Sequence, residues 1–162
     1  MNKTMSFPVV SIDRVVDADT LKITVDRGWR TYSKHELRIT GIDAPEKRTT
    51  AGNCVWLVLD GLVQRLNVLK PSIMLVSEGV DAFGRSLGDL HIYATPAGID
   101  YSIADYLLAN KLAVFYKDRN TKTDPKFVER VIDIADIILT ANKGKFRPDL
   151  SVFGMEYFDP WT

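Results

Sequence analysis

Apolar and polar residues alternate over the first forty or so positions of the chain. In "TLKITV", Leu21, Ile23 and Val25 share one face while Lys22 and Thr24 share the other, the period-two signature of a strand buried on one side. "ELRITGI" repeats the pattern, with Leu37 and Ile39 against Arg38 and Thr40. The β-branched run "FPVVSIDRVV" precedes both and predicts a first strand. Between the first two strands, "DAD" predicts a turn, because short carboxylate side chains bond to nearby backbone groups. "DRG" opens a longer connection before the third strand, and the three together predict an antiparallel meander. The period then changes. Over 52–69, Val55, Trp56, Leu59, Leu62, Val63, Leu66 and Leu69 follow the three-four spacing of one helix face, and Lys70-Pro71 ends it. "SIMLVSEG" and "LGDLHIY" predict two more strands around the turn "VDAFGRS". "SIADYLLANK" predicts a short helix capped by Ser102, and "AVFY" a brief extended piece. "DPKFVERVIDIADIILTANKG" predicts the best helix of the chain, with Asp124 as cap, Pro125 at its first position and Gly144 at its end. Val128, Val131, Ile134, Ala135 and Ile138 form its apolar stripe.

The order of three strands, helix, two strands and two helices predicts an α+β protein: a five-stranded Greek-key barrel, the OB-fold, with three helices. The 162 residues suffice for one domain with a full core. We place that domain at 1–147. A C-terminal extension at 148–162 is read as packing its aromatic residues on or near the domain, with docking to a partner as the alternative.

Apolar residues make up 46% and charged residues 26%, as in a folded soluble protein. Net charge is zero, which argues against holding nucleic acid by bulk electrostatics alone. The charge is uneven, however: residues 111–147 hold nine Lys/Arg against five Asp/Glu, and 148–162 hold three acids and no base. A single cysteine, Cys54, excludes an internal disulfide, and two histidines, His35 and His91, exclude a multi-histidine metal site. Cys54 lies in an apolar run and reads as a small hydrophobe rather than a nucleophile. The stretch "MNKTMSFPVVSI" lacks the long apolar run that a secretory signal requires, and no apolar run of about 18 residues predicts a membrane span. The chain is therefore expected to be cytoplasmic and off the membrane, although a secreted product with its signal removed would look the same. Nothing in the pattern speaks to oligomeric state.

The candidate chemistry lies at the ends of the early strands. Asp17 and Asp19 flank Ala18 in the first turn, and "GIDAPEKRTTAG" carries Asp43 and Glu46 across Pro45. Acids in turns are usually structural. Two acids from separate strand ends that meet in a small barrel could instead hold a hard cation such as Ca²⁺, which takes oxygen ligands. Asp19 and Asp43 are that pair. Arg38 and Arg85 are each, taken singly, ordinary solvated arginines. Together they could grip a phosphate, because the guanidinium fork offers paired donors and stays charged. Phosphodiester hydrolysis needs such a set: a cation that polarises the phosphate, arginines on the developing charge, and a carboxylate such as Glu46 to accept a proton from water.

"VVDADTLKI", "LRITGIDAPE" and "DAFGRSLG" resemble, in order, the three motif blocks of staphylococcal nuclease-like proteins, the thermonucleases. The resemblance runs from about Phe7 to Phe146. It implies an OB-fold barrel with three helices and a Ca²⁺-dependent endonuclease activity on DNA, RNA or both, leaving 5′-hydroxyl and 3′-phosphate ends. It implies that Asp19 and Asp43 ligate Ca²⁺ by their side chains, Ala44 by its backbone carbonyl and Thr20 through a water. It implies that Arg38 and Arg85 bind the reacting phosphate and that Glu46 is the general base or organises the attacking water. It places Tyr116 near the family's base-stacking tyrosines, with Lys117 and Arg119 either on phosphate or simply solvated. Ala18 departs from the family's usual glycine, Ala44 from a frequent threonine, and Ala82 leaves the Gly-Arg turn without a nearby lysine. The rival reading is a non-catalytic OB-fold module that binds nucleic acid or a protein. Retention of all five of Asp19, Asp43, Glu46, Arg38 and Arg85 favours the enzyme.

Overall fold

The computed structural model describes residues 4–93 and 100–141. In chain order these form β1 (Met5–Asp17), β2 (Thr20–Asp26), β3 (Tyr32–Ile39), β4 (Ile42–Asp43), α1 (Thr50–Leu69), β5 (Ser72–Val80) and β6 (Ser86–Tyr93). Then follow β7 (Tyr101–Ser102), α2 (Ile103–Ala109), β8 (Val114–Phe115), a 3-10 helix (Tyr116–Thr123) and α3 (Pro125–Ala141). β1 pairs antiparallel with β2 and, through Met5–Pro8, with β5. It can serve both neighbours because register shifts between Val9 and Ser11, Ile12 and Arg14, and Val15 and Asp17 bend it. β2 pairs with β3, β5 with β6, and β6 returns parallel to β3 through Leu37↔Ser86, Arg38↔Leu87 and Ile39↔Gly88. That last pairing closes a five-stranded mixed barrel, so the chain has the expected α+β, OB-like fold.

The closure depends on a glycine. A Cβ on Gly88 would lie 2.3 Å from the Val76 carbonyl oxygen, too close for any side chain to be tolerated without moving the strand. Inside the barrel, Leu21, Ile23, Leu37, Ile39, Leu90 and Ile92 are fully buried. Each contributes roughly 1.5–3 kcal/mol of burial energy. α1 covers one end with Val55, Leu59 and Leu62, also buried. It is pinned to β1 by polar contacts: Trp56 Nε1 donates to the Val15 carbonyl at 2.9 Å, and Asn67 Nδ2 to that of Ile12 at 2.8 Å. α3 lies against α1 and buries Val131, Ala135 and Ile138.

Three local details differ from the pattern reading. α1 starts at Thr50 rather than 52, because the Thr49 hydroxyl accepts from Gly52 N–H at 3.1 Å and caps it. The "ELRITGI" run breaks into β3 and β4 because Gly41 takes a left-handed φ of 79°. The 3-10 helix, which buries no residue, leaves no apolar pattern by which it could be foreseen. Asp124 caps α3 as expected, its Oδ1 accepting from Lys126 N–H at 2.9 Å. Gly144, Phe146 and the 148–162 extension lie outside the described residues.

Candidate active site

The site grows out of strand register. β2 begins at Thr20, opposite Arg38 of β3, so the turn residue Asp19 lies beside the end of β3. Its backbone confirms the closeness, the Ile39 N–H donating to the Asp19 carbonyl at 2.9 Å. Ala18 is fully buried and keeps out of the left-handed region, so the turn needs no glycine there. Two residues beyond β3, the short β4 pairs with β8 through Ile42↔Phe115 and Asp43↔Val114. This pairing fixes Asp43 and brings Phe115 and Tyr116 to its side. Tyr116 N–H donates to the Gly41 carbonyl at 2.9 Å.

The two carboxylates converge. Arg38 Nη2 lies 3.4 Å from Asp19 Oδ2 and 3.5 Å from Asp43 Oδ1. Backbone carbonyls orient the guanidinium: Nη1 donates to Ile39 and Nη2 to Ile42, the latter at 3.0 Å. Thr20 Oγ1 donates to Asp19 Oδ1 at 3.1 Å, and Ala44 N–H to Asp19 Oδ2 at 3.3 Å. Asp19, Thr20, Asp43 and Ala44 are all buried. Burial pushes the Asp19 carboxyl above its ordinary value of 3.8, and the pull of Arg38 and of the Ala44 N–H does not bring it back. The second oxygen of Asp43 meets a group absent from the pattern reading: Lys122 Nζ of the 3-10 helix, at 3.0 Å from Oδ2. The only advance signal for Lys122 was its place in the basic stretch 111–147.

The other candidates stand further out. Glu46 is exposed on the loop between β4 and α1, where Arg48 Nε pairs with its Oε2 at 2.5 Å. Arg85 precedes β6, two residues before Leu87, the register partner of Arg38. Strand alternation puts those positions on one face of the seam. The Arg85 Nε is held by Asp81 Oδ2 at 2.7 Å within its own turn. The Asp81 carboxyl is nudged upward by partial burial but falls below its ordinary value, because Arg85 and Phe83 donate to it. Tyr116 is half exposed, with the Arg119 guanidinium 5.0 Å from its ring centre, and the exposed Lys117 lies 5.6 Å from the ring of Phe115.

A hard divalent cation fits the chemistry of this donor set. The inner residues offer oxygen from Asp19, Asp43 and Thr20, with the two carboxylates 3.4 and 3.5 Å from a single guanidinium nitrogen. Among the described residues no group of three or more His, Cys, Asp or Glu gathers as a metal site. A cation here would therefore take its remaining ligands from carbonyls and water.

Fold and site together define an OB-like barrel with a buried carboxylate–guanidinium cluster at its seam, flanked by exposed aromatic and basic side chains. No protein-family model matches the chain. Among curated proteins it is similar to Protein ParB of Escherichia coli, with 33% identity over 79 residues, 49% of this chain. The aligned stretch spans 39% of the length of ParB. No helix among the described residues is long and apolar enough to cross a membrane.

Proposed function

We propose that this chain is a calcium-dependent nuclease that hydrolyses phosphodiester bonds of DNA, RNA or both, leaving 5′-hydroxyl and 3′-phosphate ends. The observation that carries the proposal is the convergence of Asp19 and Asp43, from separate turns, on the Arg38 guanidinium. The order and spacing of the three thermonuclease-like blocks supports it.

When bound between Asp19 and Asp43, calcium would polarise the scissile phosphate. Thr20 would hold a water at that site and Ala44 would lend its carbonyl. Arg38, preoriented by two backbone carbonyls, and Arg85, across the seam, would take the charge that builds on the phosphate oxygens. Glu46 would accept a proton from the attacking water, or orient that water, once Arg48 releases its carboxylate. Tyr116 offers a face for a base, and Lys117 a charge for the phosphate chain.

A specific observation favours a second reading, a non-catalytic module that binds nucleic acid or a protein. Each acid of the cluster already has a basic partner: Arg38 for Asp19, Arg38 and Lys122 for Asp43, and Arg48 for Glu46. Digestion of single- and double-stranded DNA and of RNA, with Ca²⁺, with Mg²⁺ and with chelator, separates the two. The enzyme reading expects cleavage with Ca²⁺ that Mg²⁺ does not fully support, since Mg²⁺ demands a tighter octahedral shell. Intact substrate in every arm would leave the binding module.

A further inference from the structure

The 3-10 helix poses a physical problem. It covers eight residues as two short turns joined at a kink at Asp118, is polar, and buries no side chain. Its own hydrogen bonds are local, such as Thr121 Oγ1 to the Asp118 carbonyl at 2.7 Å. Among the described residues, two polar contacts tie it to the barrel: Tyr116 N–H on the Gly41 carbonyl at its start, and Lys122 Nζ on Asp43 Oδ2 near its end. The second is a charge contact on a buried carboxylate, with the Lys122 side chain 22% exposed and that of Asp43 12%. It is therefore less screened than a surface pair.

We propose that Lys122 is an internal counter-ion of Asp43 that a divalent cation must displace, so that metal binding frees the end of the 3-10 helix from the barrel. This rests on the calcium reading of the Asp19–Asp43 pair. Asp43 carries one negative charge, shared between Arg38 on Oδ1 and Lys122 on Oδ2. A doubly charged ion ligated by that carboxylate repels an ammonium 3.0 Å from the same oxygen. The same repulsion acts on Arg38 Nη2, but the bonds of its guanidinium to the Ile39 and Ile42 carbonyls keep it at the seam. Lysine suits a displaceable role, being a point charge on a flexible four-carbon stem rather than a fixed fork. It also has somewhere to go. Lys122 lines a groove of about 410 Å³ together with Pro45, Glu46, Arg48, Thr49 and Thr123, where the threonine hydroxyls can receive it.

The test is a calorimetric Ca²⁺ titration of the full chain and of its Lys122→Gln, Lys122→Met and Asp43→Asn variants, with hydrogen exchange of 116–123 followed with and without Ca²⁺. Both Lys122 variants are expected to bind Ca²⁺ roughly tenfold more tightly than the parent, since one competing charge has been removed. In the parent, Ca²⁺ should speed exchange in 116–123; in the variants that exchange should be fast already and unmoved by Ca²⁺. Equal affinity in parent and Lys122 variants, with binding abolished in Asp43→Asn, would overturn the role of Lys122 and leave the calcium reading standing. Unchanged exchange in a parent that binds Ca²⁺ would do the same without recourse to any variant. No binding by the parent or by either Lys122 variant would remove the calcium reading and this inference together.

Discussion

A Cβ placed on Gly52 would lie 1.8 Å from the carbonyl oxygen of Glu46. The first turn of α1 thus rests directly on the backbone of the loop that carries Glu46. Thr49 tightens the same corner, its N–H and hydroxyl both donating to that carbonyl, at 2.9 and 2.7 Å.

Gly52→Ala must therefore push the loop away from α1. It is expected to lower stability by about 2 kcal/mol, within the range for overpacking, and, under the proposed nuclease function, to cut cleavage by displacing Glu46. Urea unfolding checks the first and a digestion assay the second. The neighbouring exposed Asn53→Ala is expected to stay within about 0.5 kcal/mol of the parent. Comparable stability of the two variants would show that the loop yields freely.

Arg38→Met leaves the buried Asp19 and Asp43 without their shared guanidinium. Removing one partner of a buried charge cluster costs about 3 kcal/mol or more. Added Ca²⁺ should then raise the melting temperature of the variant more than that of the parent, because the ion replaces lost charge and stabilises only the folded state. A calcium-independent melting temperature in the variant counts against a cation at this pair.

Glu46→Gln and Arg85→Ala are expected to fold normally and to lose cleavage by about a hundredfold or more. Circular dichroism and initial rates on a DNA substrate decide it. Rates equal to the parent's would take both residues out of the mechanism.

Asp89 Oδ1 accepts from Leu90 N–H at 2.8 Å and from Ala104 N–H at 3.2 Å, joining β6 to α2. Burial pushes its carboxyl above the ordinary value of 3.8, although bonds from Ser102, Ala104 and Leu90 pull it down. The folded state thus holds this proton more tightly than the unfolded chain does. The cost of the ionised form is complete above the folded pKa and vanishes below the unfolded one. Relative to Asp89→Asn, the parent should gain stability as pH falls from about 7 towards about 4. Urea midpoints across that range that run parallel for the two proteins would contradict this.

Much of the barrel was legible because each strand buries one face, and burial writes a period of two into residues such as Leu21, Ile23 and Val25. α1 and α3 were legible for the equivalent reason, at a period near 3.6. The 3-10 helix was not, since a segment with nothing buried carries no hydrophobic period. Glu46 and Arg85 were legible as residue types. Their engagement with Arg48 and Asp81 was not, because rotamer choice depends on neighbours in space.

The chain itself thus determined the main barrel strands, the helices α1, α2 and α3, the barrel they form, and that two acids and two arginines stand at strand ends. Propensity and periodicity are local, and they survive in a linear string. Only the tertiary structure decided that Asp19 and Asp43 share one guanidinium, that Gly52 bears on Glu46, and that Lys122 answers Asp43 from some eighty positions away. Those contacts follow from strand register and barrel closure, which bring distant residues within a few ångströms and leave no trace in the spacing of either partner.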